Sequence, residues 1–213
     1  MVWCWGWHLP SEHAGRRRPL RAGAASSNLE RMRRTVSYAI LVLLLLSPAT
    51  ASAETYLTEQ QALKIVLSKS ETIDREVHSL SDAQRAQLQE KTGLRFPEKQ
   101  FLFFVGKSKG KVDGYAVTMN EIGKHEFITF IVGMNPKSEV SDCAVMEFRE
   151  SRGWEVREQR FLRQFRGKKR GDPIQVNRDI VNYTGATLSS HAIARGVKRA
   201  LLLTELFYPG GKE

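Results

Sequence analysis

Residues 184–190 read TGATLSS, four hydroxyl side chains gathered around a Gly-Ala pair. Hydroxyls of this kind form phosphate esters. Gly185 and Ala186 strip bulk from the backbone beside Thr187, so a large group can approach its hydroxyl. Downstream, an amphipathic pattern predicts a helix from about Ser190 to Phe207, with Ile193, Val197, Ala200, Leu201 and Leu203 or Thr204 on its apolar side. A helix start offers free N–H groups and the positive end of a dipole, a seat for a phosphate. The same residues also suit a plainer role, with Gly185 turning the chain and Ser189 or Ser190 capping the helix. The residue types alone leave both open.

Other chemistries fit less well. GKSKGKVDG, residues 106–114, is glycine-rich and basic, but it lacks the terminal G-K-[ST] of a phosphate loop and sits between strand-like runs. It is expected to be a hairpin turn. His78, His125 and His191 show no metal-ligand spacing. GATLSSH lacks the second glycine of a hydrolase nucleophile elbow.

The elements that must position Thr187 are legible as periods. YLTEQQALKIVLS predicts a short helix capped by Thr58, with Gln61 three residues on and Leu63, Val66 and Leu67 on its apolar side. SLSDAQRAQLQEKTG predicts a second, capped by Ser81 and closed by Gly93. Four runs rich in Phe, Val and Ile follow: KQFLFFVGK, KVDGYAVTM, HEFITFIVGM and EVSDCAVMEFRE. They predict an antiparallel meander of about four or more strands. Cys143, in the last run, is expected to be a buried small hydrophobe. REQRFLRQFR predicts a brief basic helix with Phe161, Leu162 and Phe165 on one side. The expected fold class is α+β, an antiparallel sheet flanked by helices, with the long C-terminal helix following TGAT.

The first quarter of the 213-residue chain has a different plan. Arg33 and Arg34 precede the apolar stretch Val36–Leu46, Pro48 breaks it, and Ala51–Ala53 read ASA. That is the layout of a secretory signal peptide. Met32 is then the better start, residues 1–31 are expected to be a non-functional extension, 32–53 the signal, and 54–213 the functional domain. The expected location is periplasmic or otherwise extracytoplasmic. Half of the formal +10 charge sits in residues 1–53, which hold seven Arg and two Glu. Only FRGKKRG, 165–171, approaches a clustered basic footprint, so no nucleic-acid partner is expected. Membrane contact is expected only if the signal segment stays uncleaved.

TGATLSSHAIARGVKRAL resembles the motif of the FMN-binding domain family, which includes flavin-carrying periplasmic subunits of sodium-pumping NADH:quinone reductases and Rnf complexes, and small exported electron-transfer proteins. GKHEFITFIVGMNPKSEV and VMEFRESRGWEVREQRFLRQFRGK also look like the small exported members. The likeness extends over about Tyr56 to Leu206. It implies FMN on Thr187 through a phosphoester, installed by a flavin transferase that uses FAD as donor. It further implies that Thr184, Gly185, Ala186, Leu188, Ser189 and Ser190 surround the phosphate. By the same likeness Lys124, His125, Glu150, Ser151, Arg152 and Gly153 line the isoalloxazine side, and Lys168 favours the phosphate or an acidic partner. Redox partners would be a cytochrome or membrane reductase subunits. One position departs from the family pattern: Val181 stands three residues before Thr184, where an Asp is usual, and the nearest acid is Asp179. Two alternatives remain open, a non-redox α+β binding module and a flavin-dependent reductase with non-covalent FMN.

Overall fold

In the computed structural model, which describes residues 31–33, 36 and 54–209, the apolar runs become one antiparallel sheet. The expected extension and signal segment lie outside the described residues, except for 31–33 and 36, which are helical. Among the described residues no helix is long and apolar enough to cross a membrane. Residues 51–213 form a compact unit of their own.

The sheet contains β1 (Glu54–Thr55), β2 (Thr72–Ser79), β3 (Gln100–Ser108), β4 (Lys111–Ile122), β5 (Phe127–Met134) and β6 (Val140–Phe148), in the order β1-β6-β5-β4-β3-β2. The four anticipated runs are β3 to β6. Two edge strands join them. β2 pairs with β3 from Thr72 opposite Lys107 to Ser79 opposite Gln100, and β1 pairs Glu54 with Phe148. β2 reads TIDREVHS and is mostly exposed, so it lacks the apolar alternation that marks a half-buried strand.

Both faces of the central strands are covered, which is why their sequences are nearly continuous apolar runs. Phe103, Val117, Phe130, Val132 and Val145 face one hydrophobic cluster. Their neighbours Phe104, Ala116, Ile131 and Ala144 face the other. The second cluster is closed by Ala62, Leu63 and Val66 of helix α1 (Glu59–Val66), whose start is held by a Thr58–Gln61 capping box. The first is closed by α4 (Thr187–Phe207), which contributes Ile193, Val197, Ala200, Leu201 and Leu203, none more than 1 % exposed. Between them in sequence lie α2 (Asp82–Thr92), with a Ser81–Gln84 capping box and Gly93 at φ +71°, and α3 (Gln159–Leu162). Short 3₁₀ turns, Trp154–Arg157 and Arg163–Phe165, flank α3, and Phe161, Leu162 and Phe165 are buried.

α4 begins three residues before its expected start, and neither Ser189 nor Ser190 caps it. The Ser190 N–H already donates to the Ala186 carbonyl at 2.8 Å, placing Ala186 at the cap position, where no side chain makes a capping bond. Ser189 and Ser190 are buried in the first turn instead.

α4 lies close against the sheet at Gly196, where a Cβ would come within 2.4 Å of Phe130 Cζ and 2.9 Å of Glu121 Cγ. The buried Arg199 then donates to Glu121 Oε1 at 2.5 Å and pairs with Glu98, while Arg195 Nε donates to Glu121 Oε2 at 2.6 Å.

Candidate functional site: a cleft at the start of the long helix

Three segments that are remote in sequence meet around Thr187. The turn joining β4 to β5 brings Lys124 and His125, and the stretch leaving β6 brings Glu150, Ser151 and Arg152. The start of α4 brings Gly185, Thr187, Leu188 and Ser189. They enclose a cleft of about 420 Å³, within the range of small-molecule sites.

Each wall has a local cause. Gly185 sits at φ +88°, which favours glycine, and a Cβ there would meet nothing within 4 Å, so the approach to Thr187 is open. Gly153, at φ +87°, does the opposite. A Cβ there would lie 2.5 Å from Ser189 Oγ and 3.4 Å from Ala186 Cα. Its lack of a side chain lets the 150–153 stretch press against the first turn of α4. Glu150 then ties that stretch to the β4–β5 turn, since its Oε1 accepts the N–H groups of His125 (2.5 Å) and Glu126 (2.9 Å). Partial burial opposes ionisation of Glu150, but the backbone donors of Glu126, His125 and Lys124 together outweigh it and hold its carboxyl below the usual range.

Thr187 is exposed at the first position of α4, and its Oγ1 accepts a 2.9 Å bond from Asn182 Nδ2. The Asn182 Oδ1 is buried without a hydrogen-bond partner. The first-turn N–H groups of an uncapped helix have no intrahelical acceptor, and here they lie beside Lys124 and Arg152 at the cleft. That combination suits a phosphate. The open flank at Gly185 leaves room for the rest of a nucleotide-sized ligand, so the residues present fit a flavin mononucleotide.

The other sequence-predicted residues take different places. Ala186 is buried as the cap residue, and Ser190 is fully buried with an unpartnered Oγ. Thr184 is exposed and does not line the cleft. Gly153 packs behind it, through Ser189. Lys168 lies elsewhere, with its Nζ 2.7 Å from Asp179 Oδ2. Asp179 also accepts the Gln175 N–H at 2.7 Å and the Ile174 N–H at 3.1 Å, so its carboxylate is committed to its own loop. Val181 is 69 % exposed. Its backbone is held at both ends by Gln164, which accepts the Val181 N–H at 2.7 Å and donates to its carbonyl at 3.3 Å.

Asn182 and Gln164 were not singled out from sequence. Neither belongs to a motif, and only the fold brings Gln164 within reach of the loop before Thr187. A hollow of about 490 Å³ beside Phe127 and Arg149 is larger than the cleft. No helix start lines it, and its lining hydroxyl, Thr129 Oγ1, is committed, donating to Asn120 Oδ1 at 2.8 Å and accepting from Arg149 at 3.2 Å.

Residues 123–202 match the FMN-binding domain family, and every residue lining the cleft lies inside that stretch. Among solved structures, the chain is similar to NqrC of Shewanella oneidensis, at 16 % identity over 70 % of this chain and 87 % of that one, with a TM-score of 0.49. Comparison with curated proteins finds no match.

Proposed function

Residues 123–202 being an FMN-binding domain, we propose that the chain is an exported flavoprotein that carries FMN on Thr187 and relays electrons between redox partners outside the cytoplasm. The cofactor is FMN, and the observation that carries the attachment is the place of Thr187: an exposed hydroxyl on the uncapped first turn of α4, at the cleft, held by Asn182. Export rests on the signal-like layout of residues 32–53.

When bound, FMN supplies one- and two-electron redox chemistry, while the protein binds, orients and tunes it. The first-turn N–H groups of α4, with Lys124 and Arg152 nearby, would hold the phosphate. Ser151 and His125 would line the opposite wall. Glu150 fixes that wall by bonding the backbone of the 123–126 turn. For attachment, the Thr187 oxygen would bond to the FMN phosphorus of FAD as the pyrophosphate bond broke and AMP left, giving up its hydroxyl proton to solvent or to the transferase.

Co-expression with a flavin transferase tests this. The Thr187 peptide should gain the mass of FMN less water, and Thr187→Ala should remove that gain. An unmodified Thr187 peptide, or a label that survives in Thr187→Ala, would overturn the attachment.

A second reading has a specific observation behind it. Val181 offers no carboxylate where the resemblance expects one, and Asp179 is tied to Lys168 and two backbone N–H groups. FMN would then sit in the same cleft without a covalent bond. Acid precipitation separates the two, because covalent flavin stays with the pellet and free FMN remains in solution.

A further inference from the structure

We propose that a basic groove at the far end of α4 is a docking site for an acidic segment of a partner protein. Two hollows of about 210 and 200 Å³ meet there, with Arg170 and Glu205 as their common wall. Lys137, Lys169 and Tyr208 also line the first, and Leu88, Lys91 and Leu206 the second. The groove thereby takes up FRGKKRG, the basic run that the flavin site leaves unused.

Local hydrogen bonding puts these side chains in place. The Val140 N–H donates to the Lys168 carbonyl and the Gly167 N–H to the Val140 carbonyl, both at 2.8 Å, so the 167–171 loop runs beside the start of β6. The turn joining β5 to β6 closes on Asn135, whose Oδ1 accepts the N–H groups of Lys137 (2.9 Å) and Glu139 (3.0 Å). Loop and turn thus bring Lys169, Arg170 and Lys137 to one hollow. Tyr208 is held as well, since its OH donates to Glu76 Oε2 at 2.6 Å and its ring stacks on Tyr115 at 4.4 Å.

The charge balance of the groove is one-sided. Lys91, Lys137 and Lys169 are exposed and have no ion pair among the described residues. The acids of the same loops are committed: Asp172 accepts the Lys169 N–H at 2.8 Å, and Glu139 the Asn135 amide at 3.1 Å. The lining acid is Glu205, whose Oε1 accepts from Arg170 at 2.5 Å. Glu205 shows what the groove takes, a carboxylate laid against the guanidinium, with free lysines left in both hollows. An incoming acidic segment can take Arg170 from Glu205 and engage those lysines together.

The remaining lining favours a protein over a nucleic acid. Leu88 and Leu206 are half-buried and offer apolar contact to a peptide. Sequence-tolerant binding of single-stranded nucleic acid draws on free aromatic faces, and the Tyr208 ring is already stacked. At the helical rise of about 1.5 Å per residue, Glu205 lies about 27 Å along α4 from Thr187. A partner held there leaves the cleft open, so the proposal goes beyond the flavin reading and does not rest on it.

The test titrates the purified chain into a fluorescein-labelled peptide rich in Asp and Glu with interspersed Leu. Anisotropy is read at about 0.1 M and about 1 M salt, which differ about three-fold in screening length. Binding is expected at low salt, is lost at high salt, and is absent for the same peptide with Asn and Gln in place of Asp and Glu. In the unaltered chain the amide resonances of Lys137, Lys169, Arg170 and Leu206 should move. Movement at Lys124 and Arg152 instead would place the acid at the cleft and overturn the proposal.

Lys137→Gln with Lys169→Gln removes no ion pair and should weaken binding about five-fold. Lys137→Arg with Lys169→Arg should retain it. Glu205→Gln should tighten binding about three-fold by freeing Arg170. Glu126→Gln makes the same change of net charge at an exposed residue of the β4–β5 turn and should leave binding unchanged. Thermal midpoint and FMN content are measured on each variant. Failure to bind the peptide, unchanged binding by the folded Gln double variant, or equal tightening by Glu126→Gln overturns the proposal. Tighter binding of a duplex oligonucleotide than of the peptide also overturns it and assigns the groove to nucleic acid. Peptide binding by a chain that takes up no FMN would leave the groove standing and sink the flavin reading.

Discussion

Asn182 donates one amide hydrogen to Thr187 Oγ1, so the hydroxyl keeps its own proton to give and one rotamer in which to give it. A single neutral hydrogen bond is worth about 1 kcal/mol, so Asn182→Ala should slow attachment roughly five-fold by that measure without unfolding the domain. Mass spectrometry of the Thr187 peptide over a time course with transferase and FAD reads this directly. Unchanged kinetics would remove Asn182 from the mechanism. Val181→Asp makes the opposite change. Val181 is exposed and its backbone is bonded to Gln164, so a carboxylate fits there without displacing anything buried. Attachment should become faster and more complete, and no gain would mean that the residue at 181 is immaterial in this chain.

Glu150 gives a pH dependence with a definite sign. Its folded pKa is lowered, so the stability it contributes is fully present above the ordinary carboxylate value and is lost as pH falls through the folded value. Below about pH 4.5 the His125 and Glu126 amide resonances should begin to move toward unbonded positions. In Glu150→Gln that acid transition should be absent. A transition that persists in the variant would trace to another group. Thr187 stands out in the sequence as a candidate because GAT is a compact local motif. Asn182 and Gln164 were not, because their roles depend on where a loop folds back.

At the scale of elements, the cleft exists because Gly153 lets one segment press on another. Gly153→Ala meets two obstacles, a φ of +87° and a Cβ 2.5 Å from Ser189 Oγ. Left-handed backbone at a non-glycine residue costs about 1–3 kcal/mol. The substitution should lower the denaturation midpoint accordingly and swing Glu150 to Arg152 away from the start of α4. FMN binding should fall more than global stability does, and equal loss of both would mean that the segment is not a separate wall of the site. Gly185→Ala has the same φ problem but open space around it, so it separates backbone strain from crowding.

The elements that sequence periods exposed are those with one dominant signal: the capping boxes at Thr58 and Ser81, and the apolar runs of β3 to β6. The start of α4 differs from the expected one because paired serines resemble a cap, whereas here Ser189 packs against the Gly153 segment and Ser190 is fully buried. β2 was missed because an edge strand whose pairing is mainly backbone hydrogen bonding can be polar on both faces.

At the scale of the whole molecule, one of the contacts that join the sheet to α4 is ionic and buried. Arg199 is 2 % exposed and Glu121 4 %, and their 2.5 Å pair is extended by Glu98 and Arg195. Arg199 also lies over the Phe96 ring at 5.1 Å, and its Nε has no acceptor. A buried pair is weak evidence of net stabilisation, because desolvating both charges offsets their attraction, yet removing one partner strands the other. Arg199→Met should therefore cost about 3–5 kcal/mol, read as a shift of the denaturation midpoint at neutral pH. Arg199→Met with Glu121→Leu should recover most of that loss, because no charge remains buried at the β4–α4 contact. The consequence reaches the cleft. Arg195 also donates to the Ile122 carbonyl at 3.1 Å, immediately before the turn that carries Lys124 and His125. If the double variant regains stability but still binds FMN poorly, the ionic network acts to aim that turn. If FMN binding returns together with stability, its role is confined to holding the helix on the sheet.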